Sequence, residues 1–525
     1  MVKTKRPWTI VQLGLFSILA LLVVPFMTHR VTATSRTNAP DVAAIDAFVR
    51  EQVRRHEIPG LALALVKGDR IIHLGGYGKA DQTGRPITPQ TPFVLASVSK
   101  PLTALAVMQL VEAGKVELDA PVQHYLPAFR VADPLASQQI TLRHLLQHTS
   151  GIPEPGCMSR AGAETLEQFV AELQTIELAA PVGARHLYCS GNYNVLGRVV
   201  EVISGQSFGE YMQQQVFAPL QMRHSIASEQ EARRDGVVQG YRWLFGLHMP
   251  FHYPYDPPQV PSGFLISSAE DMAHFLIAQL NEGRLGSTSV LSPEGIAAMH
   301  APGVATGAGD QTYGLGWKTG SLGGMPTVNH PGDHPNTHTL VFIQPETRRG
   351  AVLLMNASGW LPTFGTFKGI EEGVARLLAE QEPAPTPSMR LGTLYLIVDA
   401  FLAGLFALAL WPLLRLRSWE QRLRQHHPVG WLRLLGISLR LLWEFGVPLT
   451  LLVGVRLFLG AIIGTQSWGE DLLLFPDVGA WLWAISLLLL LTGVIRVTLL
   501  LRALRHRYDK REILSIVTTT TRYPV

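Results

Sequence analysis

The sequence predicts a mixed α/β domain joined to a membrane module of three C-terminal helices. Three observations lead there. Uncharged or nearly uncharged runs long enough to cross a bilayer lie at the two ends of the 525-residue chain. Between residues 40 and 380, segments with helical spacing alternate with short β-branched runs, the pattern of a domain mixing helices and strands. With 47% hydrophobic and 16% charged residues, the chain is too apolar for a single soluble domain and too polar for a bare membrane bundle.

Charge and cysteine content exclude further classes. The 44 Lys+Arg and 40 Asp+Glu leave a net charge of +4, which suggests neither nucleic-acid binding nor disorder. Two cysteines, Cys157 and Cys189, cannot build a disulfide framework or a four-cysteine zinc site. One bridge is the maximum, and no spacing rule favours it.

In chain order, residues 1–39 come first. Lys3, Lys5 and Arg6 precede an uncharged run from Trp8 to Met27, which reads as an export signal. Val31-Thr32-Ala33 offers small residues for cleavage, yet the run is also long enough to stay as an anchor. Both outcomes remain open. Residues 40–380 form the globular part. A helix is expected from Asp41 to His56, and a strand pair, Leu61 to Val66 and Arg70 to Gly75, around Lys67-Gly68-Asp69. Thr339 to Ile343 and Gly350 to Met355 repeat that pattern, so the first and last strands are expected to share a sheet.

Residues 381–390 are a Pro-rich tether. Residues 391–525 then carry three spans, at 391–414, 441–463 and 479–501. Arg415, Arg417, Arg422, Arg424 and Arg433 follow the first span, and Arg502, Arg505, Arg507, Lys510 and Arg511 follow the third, whereas the loop around Glu470, Asp471 and Asp477 has no basic residue. The positive-inside rule puts the basic segments in the cytoplasm and the globular domain outside, on a bacterial cytoplasmic membrane. Asp399 with Arg456, and Glu444 with Arg496, fall at matching depths and are expected to pair within the bundle.

The chemistry starts at Ser97-Val98-Ser99-Lys100. Pro101 is tolerated only in the first turn of a helix, so Ser97 opens one. Residues three apart share a face, which brings the Lys100 amine to the Ser97 hydroxyl. A lysine buried among apolar side chains has its pKa lowered and can accept the serine proton. Ser-x-x-Lys alone is also an ordinary helix cap. Three later segments change its weight: Leu145 to Ile152 (LLQHTSGI), Tyr188 to Gly197 (YCSGNYNVLG), and His330-Pro331-Gly332 before a strand.

Together with Tyr313 to Trp317 (YGLGW) and Ser267 to Met272 (SSAEDM), these motifs resemble the penicillin-recognising serine hydrolases, above all the branch of class C β-lactamases, D-alanyl-D-alanine carboxypeptidases and related esterases. The resemblance covers residues 40–380 and implies a β-lactamase-like antiparallel sheet flanked by helices plus a helical domain. It implies Ser97 as the acylated nucleophile, Lys100 and Tyr188 sharing its proton, and His330 on the strand that closes the site. The N–H groups of Ser97 and Asp333 would form the oxyanion hole, and Gly332 would let substrate approach the strand edge.

Two departures matter. Tyr-x-Asn is here Tyr188-Cys189-Ser190, and the commoner Lys-Thr-Gly is His330-Pro331-Gly332, which removes a fixed cation. Amide or ester hydrolysis is thereby favoured over β-lactam hydrolysis. The Tyr-x-Ser motif, the export signal and the three C-terminal spans are similar to peptidases that mature prodrug forms of nonribosomal products, with Ser190 and Asn336 as candidate substrate contacts. His334 stands where an amide would be expected. The aromatic stretch from Tyr241 to Pro261 reads either as a wall for an acyl substrate or as ordinary packing.

Two competing motifs fail. Gly205 to Gly209 (GQSFG) matches a nucleophile elbow, but helical spacing before it makes Gly205 a helix C-cap and Ser207 the next N-cap. His330, His334 and His338 recur every four residues, yet Pro331, Gly332 and Pro335 forbid the helix that would make them metal ligands. The expectation is a membrane-tethered serine hydrolase that works without a cofactor on a small acylated peptide or ester, with no nucleic-acid partner. The rival is a sensor acylated once by its ligand.

Overall fold

The computed structural model describes residues 41–154, 163–234, 236–359, 361–383, 389–425, 431–457 and 475–520. The export signal, Cys157, the middle of the Pro-rich tether, the end of the second span and most of the acidic loop lie outside the described residues. Helix α1 (Val42–Arg55) starts where the Asp41 carboxylate accepts the Ala44 N–H at 3.0 Å. Strands β1 (Gly60–Lys67) and β2 (Arg70–Gly78) form a hairpin turning at Gly68, whose φ of 59° suits glycine. A 3-10 turn (Ala96–Val98) runs into α2 (Ser99–Glu112), and α3 (Gly191–Ser204) follows.

Further along come the hairpin β3 (Tyr241–Leu244) and β4 (Leu247–Pro250), then α4 (Ala269–Leu280). With β1 and β2, six more strands complete the main sheet: β5 (Val304–Ala305), β6 (Thr312–Tyr313), β7 (Lys318–Leu322), β8 (Met325–His334), β9 (Thr337–Gln344) and β10 (Arg349–Met355). Helix α5 (Lys368–Leu378) closes the globular part. The C-terminal helical module holds α6 (Leu391–Leu414), α7 (Leu416–Gln425), α8 (Trp431–Leu449) and α9 (Pro476–Thr520).

The main sheet has the order β2-β1-β10-β9-β8-β7-β6-β5, with antiparallel neighbours throughout. The first and last long strands do lie side by side, Leu61 opposite Met355 and Lys67 opposite Arg349. Strand β1 reads as an unbroken apolar run because both its faces are covered. Ala62, Ala64 and Val66 face the cluster containing α2, α3 and α4, while Leu61, Leu63 and Leu65 face α1 and α5.

One register positions the site. Strand β9 pairs with β8 as far as His334, whereas β7 stops at the pair Lys318–Asn329. From His330 to His334, β8 therefore has an open edge on the β7 side. The competing motif resolves as expected: Gly205 caps α3 with φ 72°, and Ser207 forms a capping box with Glu210. His330 and His334 lie on β8 and His338 on β9, not on a helix.

Among the described residues three helices are long and apolar enough to span a membrane: Leu391–Leu414, Leu435–Leu457 and Pro476–Ala503. The first coincides with expectation, the second starts six residues earlier than expected, and the third lies within α9, which continues to Thr520. Glu444 and Arg496 pair as depth suggested. Asp399 accepts instead from Trp481 Nε1 on α9 at 3.0 Å, so depth alone misassigned its partner. The β3–β4 hairpin seats the sheet domain on these helices: the Phe245 N–H donates to Asp477 at 2.9 Å, and Trp243 stacks on Tyr395 at 6.5 Å.

Candidate active site

Ser97 lies in the 3-10 turn rather than in the helix proper, with Pro101 still in the first turn of α2. Ala96 takes φ 48°, a left-handed conformation rare for a residue with a Cβ, which aims the next residue out of the turn. The turn lies against β8. A Cβ on Gly332 would meet Thr339 Oγ1 at 2.4 Å, Leu95 O at 2.5 Å and Ser97 N at 3.0 Å. Glycine is thus required there by the approach of the Ser97 turn itself, beyond any need of a substrate.

Ser97 Oγ accepts from Lys100 Nζ at 3.0 Å and from Tyr188 Oη at 2.9 Å. Lys100 is fully buried and also reaches Ser262 O at 2.9 Å and Ser190 Oγ at 3.4 Å. Burial lowers its pKa from the usual 10.5 to about 7, with the Glu154 charge opposing and the Lys318 charge assisting. Once deprotonated, the amine keeps two protons for Ser262 O and Ser190 Oγ and turns its lone pair to Ser97, so the Lys100–Ser97 bond reverses and the serine hydroxyl becomes the donor. Burial pushes the Tyr188 phenol well above its usual 10. Near neutrality Lys100 is therefore the group able to take a proton, and Tyr188 the group able to pass one.

Tyr188 is held from behind by the Leu145–Ile152 motif. His148 packs on the Tyr188 ring at 4.3 Å, and its Nδ1 accepts from the Cys189 N–H at 3.1 Å. That bond leaves the proton on Nε2. Burial keeps His148 neutral, its pKa well below the usual 6.5. Ser150 donates to Asn192 Oδ1 at 2.9 Å, tying the motif to α3. Cys189 is buried and disulfide-bonded.

Ser190, the residue replacing the asparagine amide, donates its hydroxyl to Glu154 Oε1 at 3.0 Å and its N–H to Glu154 Oε2 at 2.8 Å. Its only side-chain proton is thereby used, so toward a substrate it can only accept. His330 accepts from Tyr313 Oη at Nε2 (2.9 Å) and donates from Nδ1 to Pro331 O (2.7 Å). Burial holds it neutral, well below the usual imidazole range. It does not replace the family's lysine as a cation.

The Asp333 carboxylate turns away from the Ser97 turn and accepts from His338 Nδ1 at 2.6 Å, while His338 Nε2 meets Glu371 on α5 at 2.7 Å. Burial opposes charging His338, but the two carboxylates outweigh it and raise it to about 10. Asn336 is placed differently from the rest: its Nδ2 donates to Phe251 O at 3.0 Å, bracing the chain that follows the β3–β4 hairpin. Within the aromatic stretch Tyr253 lies 5.0 Å from the His334 ring and Trp243 stacks on Tyr395 of α6, while Phe264, just beyond the stretch, lies 4.6 Å from His334, so these rings pack against β8 and α6.

The structure thus gathers Ser97, Lys100, Tyr188 and Ser190 by direct contact, with Gly332 against the Ser97 turn and His330 on the same strand. Sequence reasoning missed Glu154, Ser262, Lys318, His338 and Glu371. Glu154 lies two residues past the Leu145–Ile152 motif and Lys318 directly follows Trp317, but a lone charge beside a motif reads as a solvated side chain.

A sequence model of the beta-lactamase family matches residues 45–366. Penicillin-binding protein 4 of Amycolatopsis lactamdurans is 31% identical over 322 residues, covering 57% of this chain and 81% of that protein. Protein flp of Staphylococcus aureus strain MW2 is 25% identical over 59% of this chain, and the chain spans 62% of its length. An octameric penicillin-binding protein homologue from Pyrococcus abyssi superposes with a TM-score of 0.58 at 27% identity, over 65% of this chain and 78% of the other. A class C beta-lactamase mutant shares the fold with a TM-score of 0.56 at 19% identity, over 64% and 96%. A family match over more than half the chain, on a fold that brings the Ser-x-x-Lys pair into contact, shows that the chain belongs to the beta-lactamase family of penicillin-recognising serine hydrolases.

Proposed function

We propose that this protein is a membrane-tethered hydrolase, acting outside the cytoplasm, that cleaves an amide bond of an acylated or D-amino-acid-containing substrate through an acyl-enzyme on Ser97. The observation that carries the reading is the Ser97 hydroxyl held between Lys100 Nζ at 3.0 Å and Tyr188 Oη at 2.9 Å. Ser97 Oγ attacks the scissile carbonyl carbon and its proton passes to the neutral Lys100 amine. The oxyanion sits between the N–H groups of Ser97 and Asp333. The leaving amine takes a proton relayed by Tyr188 from Lys100. Water then attacks the acyl carbon, releases the acid and restores Ser97.

The outward orientation is supported by the charge of the connecting segments and by the seat of the sheet domain on the starts of α6 and α9, the ends opposite the basic flanks. The Tyr188-Cys189-Ser190 triplet and the three apolar helices support an amide substrate of the prodrug-peptidase kind over a β-lactam. Intact-protein mass spectrometry tests the reading with acyl-D-amino-acid peptides, simple esters and a β-lactam. Wild type should show an acyl adduct and turn over the peptides, and Ser97→Ala should show neither; hydrolysis unchanged in Ser97→Ala would refute it.

A further inference from the structure

The tip of the β3–β4 hairpin contacts two of the C-terminal helices at once. Gly246 sits against the first turn of α6, where a Cβ on it would meet Gly392 O at 3.3 Å and Tyr395 Cβ at 3.5 Å. Beside it the Phe245 N–H donates to Asp477 on α9 at 2.9 Å, and the Phe245 ring lies 6.2 Å from that of Trp481. Tyr395 is four residues past Leu391, where the first apolar stretch begins, and Trp481 is five past Pro476, where the last one begins. At about 1.5 Å per residue the tip therefore reaches about 6–8 Å below the outer ends of both helices. That is the depth of a bilayer interface, where tyrosine and tryptophan gather.

The two faces of the hairpin differ. Trp243 and its partner across the ladder, His248, turn inward with their rings 4.3 Å apart, and Trp243 stacks on Tyr395. Leu247 and Met249 alternate with His248 and turn outward. They are 65% and 42% exposed, and Phe245 at the turn is 46% exposed. Arg242, opposite Met249, shares the outward face, and its guanidinium lies 4.2 Å from the centre of the Phe251 ring. The turn itself does not ask for an aromatic residue. Phe245 takes φ 51° and Gly246 φ 75°, a two-residue turn whose first position favours Asn, Asp or Gly. Three large apolar side chains exposed at one tip and rimmed by a cation mark a contact surface. Leu396 and Ile397 of α6, exposed at that same depth, are lipid-facing residues of a span, so lipid is what stands at this level.

We propose that the tip of the β3–β4 hairpin is sunk in the outer interface of the bilayer, with Phe245, Leu247 and Met249 against lipid chains and Arg242 among the headgroup phosphates. The inference rests on the reading of α6 and α9 as membrane spans with the sheet domain outside. An apolar patch with a basic rim is the pattern of a segment lying in a membrane surface, and a long basic side chain reaches from apolar surroundings to the headgroups. The immersion fixes the height of the catalytic cleft. At the base of the hairpin the Tyr241 N–H donates to Asn336 O at 3.2 Å, and Asn336 Nδ2 donates to Phe251 O at 3.0 Å, where β8 turns into β9. The end of β8 at His334 is thereby tied to a hairpin of four-residue strands. At the usual rise these are about 13 Å long, so the cleft stands close above the lipid surface.

The test places a single thiol by Leu247→Cys, Met249→Cys or Leu408→Cys, the last at a 64% exposed position deep in α6, and labels it with bimane; Cys189 is already in a disulfide. The full-length protein is reconstituted in nanodiscs of phosphatidylethanolamine and phosphatidylglycerol, with plain or brominated acyl chains. The labels at 247 and 249 should lose emission to brominated lipid, as the label at 408 does. Where brominated lipid has no effect on them, iodide added from the water side tells why: loss of emission to iodide means a hairpin in water, and resistance to it means a protein surface, such as a second copy of this chain, covers the patch. Either result, with the label at 408 quenched by lipid, overturns the hairpin proposal and leaves the spans standing. If the label at 408 also escapes brominated lipid, the membrane reading falls with it.

Discussion

Glu154 takes both the N–H and the hydroxyl of Ser190, at 2.8 and 3.0 Å, and so places a carboxylate one hydroxyl away from the Lys100 amine. Its charge raises the pKa of Lys100, against the burial that lowers it to about 7. If neutral Lys100 is the base, kcat/KM rises with pH through a limb near 7. Glu154→Gln removes the raising charge, so the limb should move to lower pH. A pH–rate profile with an acylated peptide measures it, and a limb that stays in place would remove Glu154 from the circuit.

Lys100→Arg keeps the positive charge but removes the lone pair, because a guanidinium is not deprotonated in proteins. Turnover should fall by about 10²- to 10⁴-fold, the usual share of general base catalysis. Thermal unfolding should confirm that the variant folds. Near-normal kcat in a folded Lys100→Arg protein would mean the proton leaves Ser97 by another route.

His338 is a buried cation between Asp333 and Glu371, beneath the strand segment offering the Asp333 N–H. His338→Gln should cost about 3–5 kcal/mol, as when one partner of a buried ionic contact is removed. The pH dependence has a definite sign. The folded pKa, about 10, is raised above the usual 6.5, so the stabilisation is complete below about 6.5 and is lost as pH rises toward 10. The gap between wild type and His338→Gln in denaturant melts should therefore shrink across that window; a constant gap would show that His338 is not charged in the folded protein.

Gly332→Ala drives a methyl group to within 2.4 Å of Thr339 Oγ1 and 2.5 Å of Leu95 O. The Ser97 turn must then move off β8. A stability loss of about 1–3 kcal/mol is expected from the overpacking, with slower Ser97 adduct formation because the two oxyanion N–H groups separate. Adduct formation at the wild-type rate would show that the turn does not depend on that contact.

Much of this arrangement was legible in the chain, for identifiable reasons. Ser97 and Lys100 are three residues apart, and Pro101 limits where their helix can begin, so their contact is a local matter. The strand pair around Lys67-Gly68-Asp69 follows from apolar runs and a glycine that accepts φ 59°. Long uncharged runs announced the first and third membrane helices, while the second began earlier than expected because Leu435, Ile437 and Leu439 are apolar enough to extend it despite Arg440. Depth in the bilayer predicted the Glu444–Arg496 pair, but not the Trp481 bond of Asp399, since depth says nothing about which helix faces lie together.

What the sequence by itself determined was the local chemistry and the coarse layout: a serine and an amine on one turn, strands that must pair, and three apolar C-terminal helices. What only the tertiary structure decided was the charge of each site group. His330 becomes neutral by burial, and Glu154 and His338 find partners far along the chain, 36 residues away at Ser190 and 33 away at Glu371. The physical reason is that a pKa depends on desolvation and on neighbours in space, and neither is written in the order of the residues.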